Sequence, residues 1–234
     1  MSIINKIKEY RYVNWRLITI KTHYYLDWYY DKGFSEKLVN VMNKDITDRK
    51  SMVFICAEPD DDKDEQVNIE NIFERSWFDQ ANIFFDNYHL IDHCTQKEEA
   101  QRLIHDASVI FLCGGSPQYQ MQLLIKLELQ TLIKKSNAVV MGSSAGGMNM
   151  SESYVDEGKV YAGLALNHFS FEAHFDYANT ALVKKRFNLS KKMNIYIAAD
   201  KDGAVYVKSG KVTIIGNVYL VSHAKIHKLA ETMQ

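Results

Sequence analysis

The chain has 234 residues, of which 47% are hydrophobic and 24% charged, a composition typical of a globular protein with one sizeable core. Its formal net charge of -1 and its short basic clusters do not indicate a nucleic-acid or anionic-membrane partner. The sequence contains no apolar run of roughly 20 residues, and it begins without the apolar segment of a secretory signal. We therefore expect a single cytoplasmic domain over residues 1–234.

The cysteines and acidic runs do not predict a metal centre or a disulfide framework. Cys56, Cys94 and Cys113 are odd in number and lack CxxC spacing, which fits a reducing compartment. Three consecutive aspartates at 60–62 follow a predicted strand, where such runs are usually solvated. We expect neither a metal nor an organic cofactor.

In chain order, the first two thirds of the sequence alternate between strand and helix patterns. Strands are predicted at 16–20, 51–57, 82–90, 107–113 and 137–141, and helices at 34–42, 66–80, 97–106 and 117–135. The aromatic group between residues 24 and 30 is expected to pack under a loop. This alternation with short connections predicts a parallel sheet with helices on both faces.

After residue 151 the pattern changes to short β-rich pieces. They are predicted at 159–162, 194–199, 204–207, 211–215 and 218–221. Ser209-Gly210 is typical of a hairpin turn between two of them. We interpret these pieces as mixed or antiparallel additions at a sheet edge. The predicted fold class is therefore α/β, a three-layer sandwich with a mostly parallel central sheet and β additions in the C-terminal third.

The segment 139–148 is the strongest candidate for a catalytic centre. A short apolar run leads into Gly142-Ser143-Ser144-Ala145-Gly146, a Gly-x-Ser-x-Gly pattern. This pattern is typical of a nucleophile elbow, in which a sharp strand-to-helix turn exposes the serine hydroxyl. Small residues are needed on both sides because a Cβ there would collide with the backbone. A plain loop of small residues is the competing interpretation.

A second glycine-rich loop follows another predicted buried strand, at Cys113-Gly114-Gly115-Ser116. Backbone N–H groups in such a loop can bind a phosphate, or they can form half of an oxyanion hole. The loop lacks the Gly-Lys-Ser/Thr ending of a P-loop and the spacing of a dinucleotide fold, which favours the oxyanion hole. Gly115 and Ala145 would then supply the two N–H donors.

A serine nucleophile needs a base, and the sequence offers two candidates downstream of Ser144. His174 lies between aromatic residues thirty positions later, and His168 is close by. Spacing alone does not choose between them.

Together these stretches resemble the peptidase E family of serine peptidases, peptidase family S51, which includes aspartyl dipeptidase and cyanophycinase. The similar stretches are 113–116, 142–147 and Ala173-His174-Phe175, and Gly163-Leu164-Ala165-Leu166 also resembles a family motif. Their order and approximate spacing agree with the family, and the similarity is clear over roughly residues 105–180.

The resemblance implies a fold like that of class I glutamine amidotransferases and hydrolysis of short peptides through an acyl-enzyme. It implies Ser144 as nucleophile, His174 as base, and Gly115 with Ala145 as oxyanion donors, without a cofactor. The partner would be a short peptide, and the oligomeric state is left open, with a homodimer as one option.

Three acids lie between the serine and the histidine as candidates for the third triad residue. The order of preference is Asp156, then Glu157, then Glu152.

The substrate-side residues follow the family pattern only in part. Gly114 and Ser116 are candidates for substrate binding, although Cys113 and Ser116 replace the usual glycine and asparagine. An aspartyl preference would need a cation near the substrate, and Arg186 lies in the region where the family often has arginines.

Two other functions remain open from the sequence. The substituted loop and the ambiguous acid would suit a catalytically inactive or diverged binding protein that kept the fold. A glutamine amidotransferase-like amidase that uses Cys113 is disfavoured, because this cysteine lies on the oxyanion loop and not on the elbow.

Overall fold

The computed structural model of the protein describes residues 21–58, 69–174, 180–198 and 203–230. The predicted strand at 16–20 and the acidic run at 60–62 lie outside the described residues.

The described residues form thirteen strands and seven α-helices. The strands are β1 (Thr22–Leu26), β2 (Ser51–Ile55), β3 (Asn87–Ile91), β4 (Val109–Leu112), β5 (Val139–Ser143), β6 (Ser153–Asp156), β7 (Lys159–Ala162), β8 (Ser170–Glu172), β9 (Ile195–Ala198), β10 (Ala204–Lys208), β11 (Lys211–Ile215), β12 (Val218–Ser222) and β13 (Lys225–Lys228). The helices are α1 (Glu36–Asp45), α2 (Phe73–Gln80), α3 (Lys97–Asp106), α4 (Pro117–Lys126), α5 (Gln130–Lys135), α6 (Ala145–Met150) and α7 (Thr180–Leu189).

A seven-stranded sheet lies at the centre, in the order β11-β10-β1-β5-β4-β2-β3. The five strands from β1 to β3 in this order are parallel, whereas β10 and β11 add an antiparallel hairpin at one edge. The parallel arrangement brings the carboxyl ends of five strands to one edge, where open α/β sheets bind ligands. The predicted fold class is thus confirmed for the central sheet.

Helices cover both faces of this sheet because its parallel strands are apolar on both sides. Along β2, Val53 and Ile55 pack with buried residues of α3, α4, α5 and α6, whereas Met52 and Phe54 pack with those of α1 and α2. The second face is rich in aromatic rings, among them the fully buried Trp77. The result is a three-layer sandwich with two cores separated by the sheet.

The C-terminal third differs from the sequence-based expectation. The predicted hairpin at Ser209-Gly210 joins β10 to β11 at the sheet edge, with both turn residues at positive φ, 50° and 78°. The strands β9, β12 and β13 instead pair with β8 in a separate four-stranded sheet, and β6 with β7 forms a two-stranded hairpin. Of the five predicted pieces, β10 and β11 are therefore antiparallel additions at the edge of the central sheet, whereas β7, β9 and β12 belong to the two smaller sheets.

Two helix predictions also differ from the structure. The predicted helix at 117–135 is divided into α4 and α5, since Glu128 between them has a φ of 57°. Within the described part of the predicted helix at 66–80, the α-helix begins at Phe73. In the described residues no helix is both long enough and apolar enough to cross a membrane.

Candidate active site

Ser144 lies on the sharp turn between β5 and α6, at the carboxyl edge of the central sheet. Its backbone has φ 46° and ψ -110°, a strained conformation of the kind that concentrates at functional sites. Its N–H donates to the Leu26 carbonyl at 3.0 Å, which ties the turn to the end of β1. A Cβ on Gly142 would lie 2.5 Å from the Gly146 carbonyl carbon, so the turn requires glycine there. The predicted strand–turn–helix geometry is present.

The structure brings His174 to this serine. Its Nε2 lies 3.1 Å from the Ser144 Oγ, within hydrogen-bond distance. The histidine follows β8, which packs on α6 through the ring of Phe171. A Cβ on Gly147 would lie 2.7 Å from that ring, so the glycine permits the close approach. The four-stranded sheet thus positions the imidazole at the carboxyl edge of the central sheet.

Asp27 is the carboxylate beside His174, and the sequence analysis missed it. Its Oδ1 lies 3.6 Å from the His174 Nδ1, and the Asp27 side chain is only 3% exposed. The register explains its position, because Leu26 of β1 pairs with Ser143 of β5 in parallel strands. The next residue on each strand is then Asp27 and Ser144. The signal was an acid directly after a strand, but no strand was predicted at 22–26.

The three acids favoured from the sequence lie elsewhere. Asp156 accepts a hydrogen bond from the Gln118 Nε2 at 3.0 Å. Glu157 lies in the turn of the β6–β7 hairpin, with φ 43°. Glu152 is paired with His168 at 3.2 Å. Among the described residues, the carboxylate beside the His174 imidazole is therefore that of Asp27, whereas Asp156 is bonded to Gln118.

Two backbone amides of the glycine-rich loops have no protein acceptor in the part of the chain that the structure describes. Among the described residues, neither the Gly115 N–H nor the Ala145 N–H donates a hydrogen bond to the protein. Gly115 has φ 130°, and a Cβ there would lie 2.8 Å from the Ala57 carbonyl oxygen. The Ala145 amide begins α6, and the first N–H groups of a helix lack an intrahelical acceptor. Both amides can therefore bind an oxyanion.

Cys113 is unsuited to act as a nucleophile. Its side chain is buried, and burial, followed by the charge of Glu74, raises the pKa of its thiol well above the ordinary value. A protonated thiol is a weak nucleophile. The amidase alternative that uses Cys113 therefore gains no support.

Ser116 and Arg186 are engaged within the protein. The Ser116 Oγ caps α4 by accepting the Tyr119 N–H at 3.2 Å. The Arg186 guanidinium is buried against the Glu172 carboxylate, and burial raises the pKa of Glu172 to about 7 despite the opposing charge of Arg186. The positions of Ser116 and Arg186 do not support their predicted roles in substrate binding.

Two other features lie apart from this site. A cavity of about 450 Å³ is lined by residues such as Asp48, Ser108 and Val139, where strands begin rather than end. Asp92, His93 and Cys94 have potential metal-ligating atoms within 4.8 Å of one another. They follow the edge strand β3, three strands from β5, and an oxygen of the Asp92 carboxylate accepts the Cys94 N–H at 3.0 Å.

A serine on a strained strand–helix turn beside a histidine, at the carboxyl edge of a parallel sheet, is an arrangement typical of α/β hydrolases. Residues 32–215 match the sequence profile of peptidase family S51. The chain belongs to this family, which identifies it as a peptidase and therefore a hydrolase.

Solved structures show the same fold. A peptidase from an acI-B1 Actinobacterium matches with a TM-score of 0.67 at 18% identity, over 92% of this chain and 96% of that one. A putative peptidase E protein from Listeria monocytogenes EGD-e matches with a TM-score of 0.59 at 15% identity, over 83% and 98%. No curated protein sequence gives a significant match.

Proposed function

We propose that the protein is a cytoplasmic serine peptidase of the dipeptidase type, which hydrolyses short peptides through Ser144 on a nucleophile elbow and His174 as its base. The observation that supports this most strongly is the 3.1 Å separation of the His174 Nε2 and the Ser144 Oγ at the turn. A nucleophile and its base must lie within such a distance for proton transfer.

In the first half of the reaction, the His174 Nε2 takes the Ser144 proton as the hydroxyl oxygen attacks the peptide carbonyl carbon. The carbonyl oxygen becomes an oxyanion, which the N–H groups of Gly115 and Ala145 bind. The imidazolium then protonates the leaving amine as the C–N bond breaks. An acyl-enzyme on Ser144 and a free amine result.

In the second half, water attacks the acyl carbon while the His174 Nε2 takes its proton. The tetrahedral intermediate collapses, the Ser144 oxygen leaves and recovers a proton from the imidazolium, and the acid product departs. Asp27 stabilises the imidazolium in both halves through its carboxylate near Nδ1. The steps need only these side chains, two backbone amides and water.

We propose no aspartyl preference for the site. The family resemblance suggested an aspartyl preference supported by Arg186, but this guanidinium is already paired with Glu172. We therefore propose cleavage of short peptides without assigning the N-terminal residue. The cytoplasm remains the expected location because the sequence shows no disulfide framework.

Labelling with a fluorophosphonate probe tests the proposal. We expect the probe to modify Ser144 and the variant Ser144→Ala to lose labelling completely. His174→Gln should slow labelling by about 10²-fold or more, since general-base catalysis typically contributes 10²–10⁴-fold. Incubation with dipeptides that vary in their first residue, followed by free-amine detection, then identifies the preferred substrate.

A folded wild-type protein that the probe does not label would contradict the proposal. That result would favour the alternative of a catalytically inactive or diverged binding protein, in which the same loops bind a ligand without cleaving it. Circular dichroism of the same sample separates this outcome from a failure to fold.

A further inference from the structure

A buried carboxylate connects the glycine-rich loop after β4 to the turn after β5. Glu74 is only 4% exposed. One oxygen of its carboxylate, Oε1, accepts the Gly114 N–H at 2.7 Å and the Ser143 hydroxyl at 3.2 Å. These donors belong to different strand ends, those of β4 and β5, so one oxygen atom joins two segments that are distant in sequence.

An ion pair does not account for the burial of Glu74. Burial raises the pKa of the Glu74 carboxyl, the hydrogen bonds from Gly114 and Ser143 lower it, and the charge of Glu58 raises it further. Among the described residues no cation forms a salt bridge with it. Its bonds to the two loops are thus the favourable contacts that offset its burial.

Packing fixes the carboxylate in this place. Glu74 lies in the first turn of α2, where the helix dipole favours a negative charge. The preceding residue, Phe73, stacks on Trp28 with ring centroids 5.4 Å apart. The Trp28 ring in turn lies over Gly114, since a Cβ there would be 2.7 Å from it. The helix, the aromatic pair and the loop therefore form one packed unit.

We propose that Glu74 is a positioning residue that holds the two halves of the oxyanion hole at a fixed separation, an inference that rests on the proposed function. Gly114 directly precedes the donor Gly115, and Ser143 directly precedes the nucleophile. A peptide unit held through one amide has its neighbour oriented as well, because only two dihedrals separate them. Glu74 itself does not contact the reacting atoms.

The test measures the inactivation kinetics of the fluorophosphonate probe, whose phosphonyl oxygen occupies the oxyanion hole. In Glu74→Ala the maximal inactivation rate should fall by about 10- to 100-fold, less than the 10²–10³-fold typical for a deleted donor. The inactivation constant KI should change little, because probe binding uses other contacts. Glu74→Gln keeps an acceptor oxygen and should recover the rate to within about threefold of wild type.

Asp92→Asn is the matched control for loss of a buried carboxylate. Asp92 is fully buried and also accepts backbone N–H groups, but it lies after β3. This variant should lower the melting temperature while leaving the maximal inactivation rate unchanged. Ser143→Ala removes one of the two donors to Glu74 and should reduce the rate by less than Glu74→Ala does.

The outcomes separate this inference from the proposed function. If wild type is labelled and folded Glu74→Ala is labelled at the same maximal rate, Glu74 has no positioning role, although the serine remains reactive. A rise in KI without a change in the maximal rate would also overturn it. If Glu74→Ala does not fold, then Ser143→Ala labelled at the wild-type rate refutes the inference. Failure of wild type itself to label refutes the proposed function instead.

Discussion

Replacing Asp27 by asparagine should slow the labelling of Ser144 markedly while preserving the fold. The carboxylate and the imidazole are 3.6 Å apart. At that distance two unit charges attract by about 5 kcal/mol at an effective dielectric of about 20, and by about 1 kcal/mol at about 80. His174 is 46% exposed, so screening removes part of the larger value. We expect a loss of about 1.4–4 kcal/mol, which is about 10- to 1,000-fold in rate.

The assay is the second-order rate constant of fluorophosphonate labelling, followed by intact-protein mass spectrometry. Asp45→Asn is the matched control, since the Asp45 side chain is 2% exposed and is paired with Lys208 at 2.6 Å. It lies at the opposite edge of the sheet, so its loss should affect stability alone. The reasoning is refuted if folded Asp27→Asn is labelled as fast as wild type. Asp156→Asn causing the larger loss would restore the acid first favoured by the sequence.

Three further predictions concern packing, thiol reactivity and pH. Gly146→Ala would place a Cβ 2.0 Å from a backbone oxygen of β4. It should cost about 3 kcal/mol in the free energy of unfolding, lowering the melting temperature by about 6–12 °C. Gly210→Ala, which meets no neighbouring atom within 4 Å, should cost about 1 kcal/mol by calorimetry. Iodoacetamide should alkylate the exposed Cys94 and spare the buried Cys113, as peptide mapping would show; the reverse would contradict the burial. Burial lowers the pKa of His23 from 6.5. As the pH falls, His23 of the unfolded chain therefore binds its proton at a higher pH than His23 of the folded protein does. Denaturant titrations should then show stability falling below about pH 6.5, by at most about 1.4 kcal/mol per pH unit, with a smaller slope in His23→Gln.

The sequence was sufficient to predict most strands of the central sheet and the segments that contribute Ser144 and His174. Ser144 lies in a local motif whose small residues follow from the geometry of a tight turn, so its backbone conformation could be predicted. The glycine-rich loop at 113–116 follows a strand that is apolar throughout, which placed Gly115 at the carboxyl edge. The family resemblance distinguished His174 from His168, although spacing did not.

The residues that were missed depend on contacts between distant segments. Asp27 reaches His174 only because β1 lies next to β5, and the aromatic-rich strand Thr22–Leu26 lacks the aliphatic pattern on which strand prediction relies. The Glu74 carboxylate accepts a backbone N–H that follows β4 and a serine hydroxyl at the end of β5, and neither partner is close to Glu74 in the sequence. Both are buried acids, a class of residue whose role follows from its neighbours rather than from its own position.

The place of β1 in the sheet has a consequence for how the protein is made. This strand leaves the ribosome before both of its partners, β5 and β10, which follow about 120 and about 180 residues later. At translation rates of about 5–20 residues per second, the second edge of β1 stays unpaired for about 10–40 s until β10 is synthesised. The parallel group of β2, β3 and β4 can pair sooner, because those strands are close in sequence. We expect the nascent chain to leave the second edge of this aromatic-rich strand unpaired throughout that interval, so its yield in the cell should depend on chaperones that shield the edge.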